Sequence, residues 1–145
     1  MRNYGYACIN MGFSSLPKSQ RITTNRTMIK RTFHDRGIEY ASELALQNLR
    51  DLRTILEWNL ENDIYFYRLS SDIIPWASEY SLEEMPNYGA IHAAALSAGN
   101  FARQHNMRLT SHPGPFNKLA SPKERVFQLT KTDLSVHGDL FDLIG

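Results

Sequence analysis

The chain has 145 residues and one cysteine, Cys8, so an internal disulfide is excluded. A lone thiol in an apolar N-terminal run reads as a small core residue, and this cysteine usage fits a reducing compartment; a cytoplasmic protein is expected. No apolar run approaches the ~18 residues of a membrane helix, and "MRNYGYACIN" lacks a signal peptide's hydrophobic core, so no membrane partner is expected. Charge of one sign is not in excess: the formal net charge is +1, and the whole-chain balance selects no partner. No glycine-rich fingerprint follows any candidate strand, which weakens nucleotide binding, and no HxxxH, CxxC or HExxH spacing marks a metal site. What is present, 42% hydrophobic and 21% charged residues, is the composition of one globular domain.

Three units of the same kind follow one another. Residues 4–9, "YGYACI", read as a strand. Residues 43–63 place Ala45, Leu49, Leu52 and Leu56 at spacings of four, three and four, an amphipathic helix with Glu43, Arg50, Arg53 and Glu57 available to water. Residues 64–70, "IYFYRLS", form a β-branched and aromatic strand, and the alanine-rich 88–106 a second helix. A third strand spans 107–112. A third helix spans 121–145, with Ser121 as N-cap, Pro122 at its first position, and Val126, Leu129, Leu134, Phe141 and Ile144 on its buried face. The Thr130–Thr132 stretch is a possible kink. Strand–helix alternation predicts parallel strands in an α/β fold, either an open doubly wound sheet or part of a (β/α)₈ barrel.

In both layouts the working residues sit at the carboxyl ends of the strands and in the loops beyond them. Those places hold Asn10, Thr24, Asn25 and Arg26 after strand one. After strand two come Ser70, Ser71, Asp72, Trp76 and Glu79, and after strand three His112, Phe116 and Asn117. Between Pro17 and Arg36 lie Lys18, Arg21, Arg26, Lys30, Arg31 and Arg36 against the single acid Asp35, a segment able to meet phosphates or simply to be solvated. Histidine and carboxylates suit a metal, and exposed aromatics beside basic groups suit nucleic acid. Each also has a plainer reading. A strand-end histidine can be a hydrogen-bonding residue, Trp76 a core residue, and Asp72 a cap for "IIPW". His34, His92, His105 and His137 read as structural or surface residues.

Taken together, "YGYACIN", "TTNRT", "ELALQNLRDLRTILEWN", "FYRLSSDIIPWAS" and "RLTSHPGPFNKLASP" resemble the N-terminal part of the UV-damage endonucleases, in that family's order and spacing over nearly all of the chain. The resemblance implies a TIM barrel of the xylose-isomerase-like kind, of which residues 1–145 form about three βα units and stop before strand four. It implies a DNA-repair enzyme that nicks DNA 5′ of ultraviolet photoproducts by hydrolysing a phosphodiester with divalent metals, commonly manganese. On that resemblance His112 is a metal ligand, the histidine of an HPG motif. Pro115 and Phe116 occupy the positions of a probe that enters the duplex, where some members carry Gln and Tyr, and Pro115 lacks the amide that could bond an orphaned base. Tyr6 and Asn10 match positions near the damaged nucleotides, and Glu79 stands where some members have histidine. Most of the family's ligands lie on strands four to eight. The expected partners are therefore damaged double-stranded DNA and a C-terminal half that completes the metal site. The alternative is a non-catalytic damaged-DNA-binding module, or a decayed gene product, that keeps the probe loop and the basic segment.

Overall fold

The computed structural model describes residues 4–145. Three short strands, β1 (Gly5–Ala7), β2 (Phe66–Arg68) and β3 (Arg108–Thr110), pair in parallel in the order β1-β2-β3. Each precedes a helix, α1 (Lys30–Glu61), α2 (Tyr88–Gln104) and α3 (Glu124–Ile144), so the fold is α/β as the alternation predicts. The strand order never reverses, and crossovers between neighbouring parallel strands share one hand, which places successive helices on the same face of the sheet. Accordingly α1 packs on α2 and α2 on α3.

The sheet register sets Tyr6 beside Tyr67 and Tyr67 beside Leu109. This row turns toward the helices: Tyr67 is buried with Leu49, Leu52, Ile55 and Leu56 of α1 and Ile91 and Ala95 of α2, and Tyr6 and Leu109 pack against the same core. The apolar spacing read in α1 is thus the stripe that the fold buries. Strand alternation turns the flanking rows to the other face, where Ala7, Arg68 and Arg108 are exposed. Close approach explains two glycines. A Cβ on Gly5 would meet Phe66 of the neighbouring strand, and one on Gly99 of α2 would meet the backbone of Ile144 at the end of α3.

The first two helices hand over to the next strand in the same way. Asp63 and Asn106 adopt left-handed backbone (φ 56° and 53°) just past α1 and α2. Ile64 N–H then reaches Asn59 O (2.9 Å) and Met107 N–H reaches Ala102 O (2.8 Å), the 6→1 bond of a Schellman motif with an apolar residue after the turn. Asp and Asn tolerate this conformation better than other non-glycine residues.

Several boundaries differ from the sequence expectation. Each strand keeps only three paired residues; β1 ends where Cys8 turns left-handed (φ 61°). The first helix begins at Lys30 rather than 43, bent where Gly37 has φ 65°, so the end of the basic segment is helical rather than loop. The added N-terminal stretch is held by tertiary contact, because Phe33 stacks on Trp76 with centroids 5.3 Å apart. In α3 the N-cap is Lys123, without a side-chain cap, and Ser121 Oγ accepts the Lys123 N–H instead (3.2 Å). Thr130 and Thr132 do not break the helix, which runs unbroken from Glu124 to Ile144, and their hydroxyls donate back to the carbonyls of Val126 and Gln128. Leu129 is exposed, and Leu140, Leu143 and Ile144 make the buried face with His137. No helix among the described residues is long and apolar enough to cross a membrane.

Candidate nucleic-acid interface

The carboxyl ends of the three strands open into three loops, and α1 pins two of them through polar residues set in its buried stripe. Asn48, fully buried, donates from Nδ2 to the carbonyls of Arg26 (2.9 Å) and Ile73 (3.0 Å) and accepts the Arg26 N–H at Oδ1 (3.1 Å). One side chain therefore joins the loop after β1 to the loop after β2. Ser42 Oγ accepts the Asn87 N–H (3.1 Å) where α2 begins. Asn59 Oδ1 accepts the Tyr6 hydroxyl proton (2.7 Å). The sequence reading missed all three, although the signal exists: polar residues recurring within an apolar helical stripe.

Tyr6 and Asn10 are brought together. Asn10 Nδ2 donates to Tyr6 Oη (2.8 Å), and Asn10 Oδ1 accepts the Gly12 N–H (2.8 Å). Asn10 is buried, and burial pushes the Tyr6 phenol up to about 12 despite its two amide partners. Both side chains hold the turn after β1 in place. Beside them Tyr67 donates to the Cys8 carbonyl (2.9 Å) and meets Thr24 Oγ1 at 3.1 Å; burial raises this phenol further. Burial also raises the Cys8 thiol, which fits a packed residue rather than a reactive one.

Arg26, expected among the DNA contacts, is partly exposed and already engaged: its guanidinium pairs with Asp51 at 2.7 Å and donates to the carbonyls of Thr23 and Arg21 (2.6 Å each), so it braces the first loop. Asn25 is half-buried, and its side-chain carbonyl has no partner among the described residues. Lys18, Arg21, Lys30 and Arg31 remain exposed. Trp76 is half-buried with left-handed backbone (φ 59°); its indole donates to the Met28 carbonyl (3.0 Å) and ties the basic loop to the loop after β2. Asp72 and Glu79 are both exposed on that second loop, and no regular helix follows Asp72 for it to cap.

The third loop is the most built. His112 stands exposed directly beyond β3 and makes no hydrogen bond among the described residues. Asn117 Nδ2 donates to the Gly114 carbonyl (3.0 Å) and to Asp133 of α3. The Lys118 N–H donates to Thr130 Oγ1 (2.9 Å), a hydroxyl that is itself fully buried. The loop is thus tied to α3 just after Phe116, at Asn117 and Lys118, while Phe116 itself is 87% exposed with Pro115 beside it. Phe116 is not bare alone, because Leu119 close by is also exposed, and the two belong to one apolar surface. Two clefts flank the ridge of Leu119: one of about 410 Å³ bordered by His112, and one of about 740 Å³ bordered by Phe116.

His112 fits a metal as a single free imidazole donor. Among the described residues no three His, Cys, Asp or Glu side chains come together as a metal-holding group.

Parallel strands in sequential order, with every polar loop gathered at their carboxyl edge, define an α/β protein of the class that keeps its working residues on that edge. Within that class, residues 2–145 match the family model described as UV-endonuclease UvdE, and the chain belongs to this family. It is 35% identical over 136 residues to the UV-damage endonuclease of Schizosaccharomyces pombe, spanning 94% of this chain and 22% of that protein. It is 34% identical over 143 residues to the putative UV-damage endonuclease of Acanthamoeba polyphaga mimivirus, spanning 97% of this chain and 42% of that one. The crystal structure of SacUVDE superposes with a TM-score of 0.85 at 27% identity, covering 100% of this chain and 46% of that one. The chain thus spans less than half the length of these relatives, and it lies in their N-terminal part.

Proposed function

We infer that this chain forms the lesion-reading part of a UV-damage DNA endonuclease, one arc of a (β/α)₈ barrel that a C-terminal half completes. The observation that carries the reading is the loop after β3, which presents a free His112 and an exposed Phe116 in one short proline-containing segment and is tied to α3 immediately after Phe116 through Asn117 and Lys118. An exposed ring on a preordered loop can wedge between bases, and the unstacking it requires is cheapest where a lesion has already weakened the stack. Pro115 stiffens the loop but carries no amide, so discrimination rests on stacking rather than on a hydrogen bond to the opposite base. The sequential strand order and one-sided helices support the barrel arc.

In this reading His112 is one ligand of a divalent metal site, manganese being the proposed metal, and the other ligands come from the C-terminal half. When bound, such metals activate water and neutralise charge on the attacked phosphate. The chain's own part is to hold the imidazole at the end of β3, with Pro113 and Gly114 fixing the loop that follows. Asp72 and Glu79 lie on the neighbouring loop, where a carboxylate can orient water or a metal but cannot donate a hydrogen bond to phosphate while ionised. Tyr6 and Asn10 support the site from below through the turn they bind, and Asn25 sits on the same rim.

The test is manganese-dependent nicking of irradiated duplex by the chain alone and by the chain mixed with the C-terminal segment of a relative. The expected result is nicking only in the mixture, abolished by His112→Ala. Selective binding of irradiated DNA with no nicking in either case would replace the nuclease reading by a damage-binding module. Nicking unaffected by His112→Ala would remove His112 from the site.

A further inference from the structure

We propose that the cleft beside Phe116 is a backbone-gripping surface for the duplex, with Lys118 and Lys123 as its phosphate contacts. This rests on the DNA-reading function above, and it assigns the charge that would hold DNA against the probe. Phe116, Leu119, Pro122 and Val126 form the apolar part of a cleft of about 740 Å³, and its only charged lining residues are these two lysines. Both are exposed, and neither forms an ion pair among the described residues.

The acids nearby are turned to other partners. Asp133 accepts from Asn117, and Glu124 accepts from Gln128 Nε2 (2.6 Å). The cleft therefore combines a bare aromatic, an apolar floor and uncompensated positive charge. That combination is complementary to a strand whose base stack has been opened: the exposed sugar and base faces meet the floor and the phosphates meet the ammonium groups. The backbone beneath is already fixed, because the Lys118 N–H is held by Thr130 and the Ser121 N–H by the Lys118 carbonyl (3.2 Å). Arg26, by contrast, has its charge paired with Asp51. Arg26 is thus already engaged, while the two lysines of the third loop are free.

The experiment is the salt dependence of binding to a short fluorescent duplex, intact and irradiated, measured between about 50 and 200 mM salt. Each of Lys118→Gln and Lys123→Gln should lower the slope of log K against log salt by about 1, on both duplexes alike, while the matching Arg variants keep it. Arg50→Gln, the same charge change on the exposed face of α1, should leave the slope unaltered. Slopes unchanged in both lysine variants, or lowered equally by Arg50→Gln, would overturn the assignment. A wild-type chain that binds both duplexes equally would end the lesion-reading function, yet the lysine slopes would still decide this surface. No binding of either duplex would overturn both.

Discussion

Asn48 offers the sharpest test of how the interface is held. Replacing it by alanine removes three hydrogen bonds of 2.9–3.1 Å and leaves the Arg26 N–H, the Arg26 carbonyl and the Ile73 carbonyl without partners. At roughly 1 kcal/mol per lost bond, with a further penalty where the stranded group stays buried, the expected loss is about 3–4 kcal/mol. A urea m-value of about 2 kcal/mol/M converts that into a midpoint lower by about 1.5–2 M. Asn48→Asp is a more demanding partner experiment. The carboxylate can still accept the Arg26 N–H, but it can donate to neither carbonyl and faces both with negative charge. It should therefore destabilise at least as much as alanine. A midpoint shift under about 0.3 M for either variant would refute the idea that this side chain joins the two loops.

Other expectations follow from the same geometry. Phe116→Ala should abolish any preference for irradiated over intact duplex while moving stability by no more than about 0.5 kcal/mol, because the ring is almost wholly exposed; paired binding and urea curves check this. Thr130→Val should speed hydrogen exchange at the Lys118 amide by removing its acceptor, and Thr130→Ser should restore protection. Stability should fall in alkali. The folded chain holds the Tyr6 proton up to about 12, whereas the unfolded chain loses it near the ordinary value of 10, so this contribution is complete below pH 10 and is lost as pH rises through about 12. Buried Tyr67 and half-buried Tyr80, whose phenols are also raised by burial, act in the same direction, and urea midpoints taken across that range should fall, with a shallower fall in Tyr6→Phe.

By itself the sequence determined the alternation of strands and helices, the buried stripe of α1, and the motif series that places the chain in its family. These are legible because they are local: a helical period of 3.6 or a proline–glycine punctuation needs no distant partner to be recognised. The third loop was legible for the same reason, since His112, Pro113, Gly114, Pro115 and Phe116 are contiguous. What the tertiary structure decided was what each polar residue does. Arg26 reads as an unpaired cation until the fold sets Asp51 beside it, 25 positions further along the chain. The start of α1 reads as a loop until Trp76 supplies a face for Phe33 to stack on. Thr130 reads as a helix weakness until its hydroxyl is found anchoring the loop that carries Phe116. In each case the deciding partner lies on a different loop or helix, and burial turns a pairing with it into a structural commitment, because a buried polar group left unpaired is costly. Periodicity records which side of a helix is buried; only the packed chain records which hydrogen bonds that burial has made obligatory.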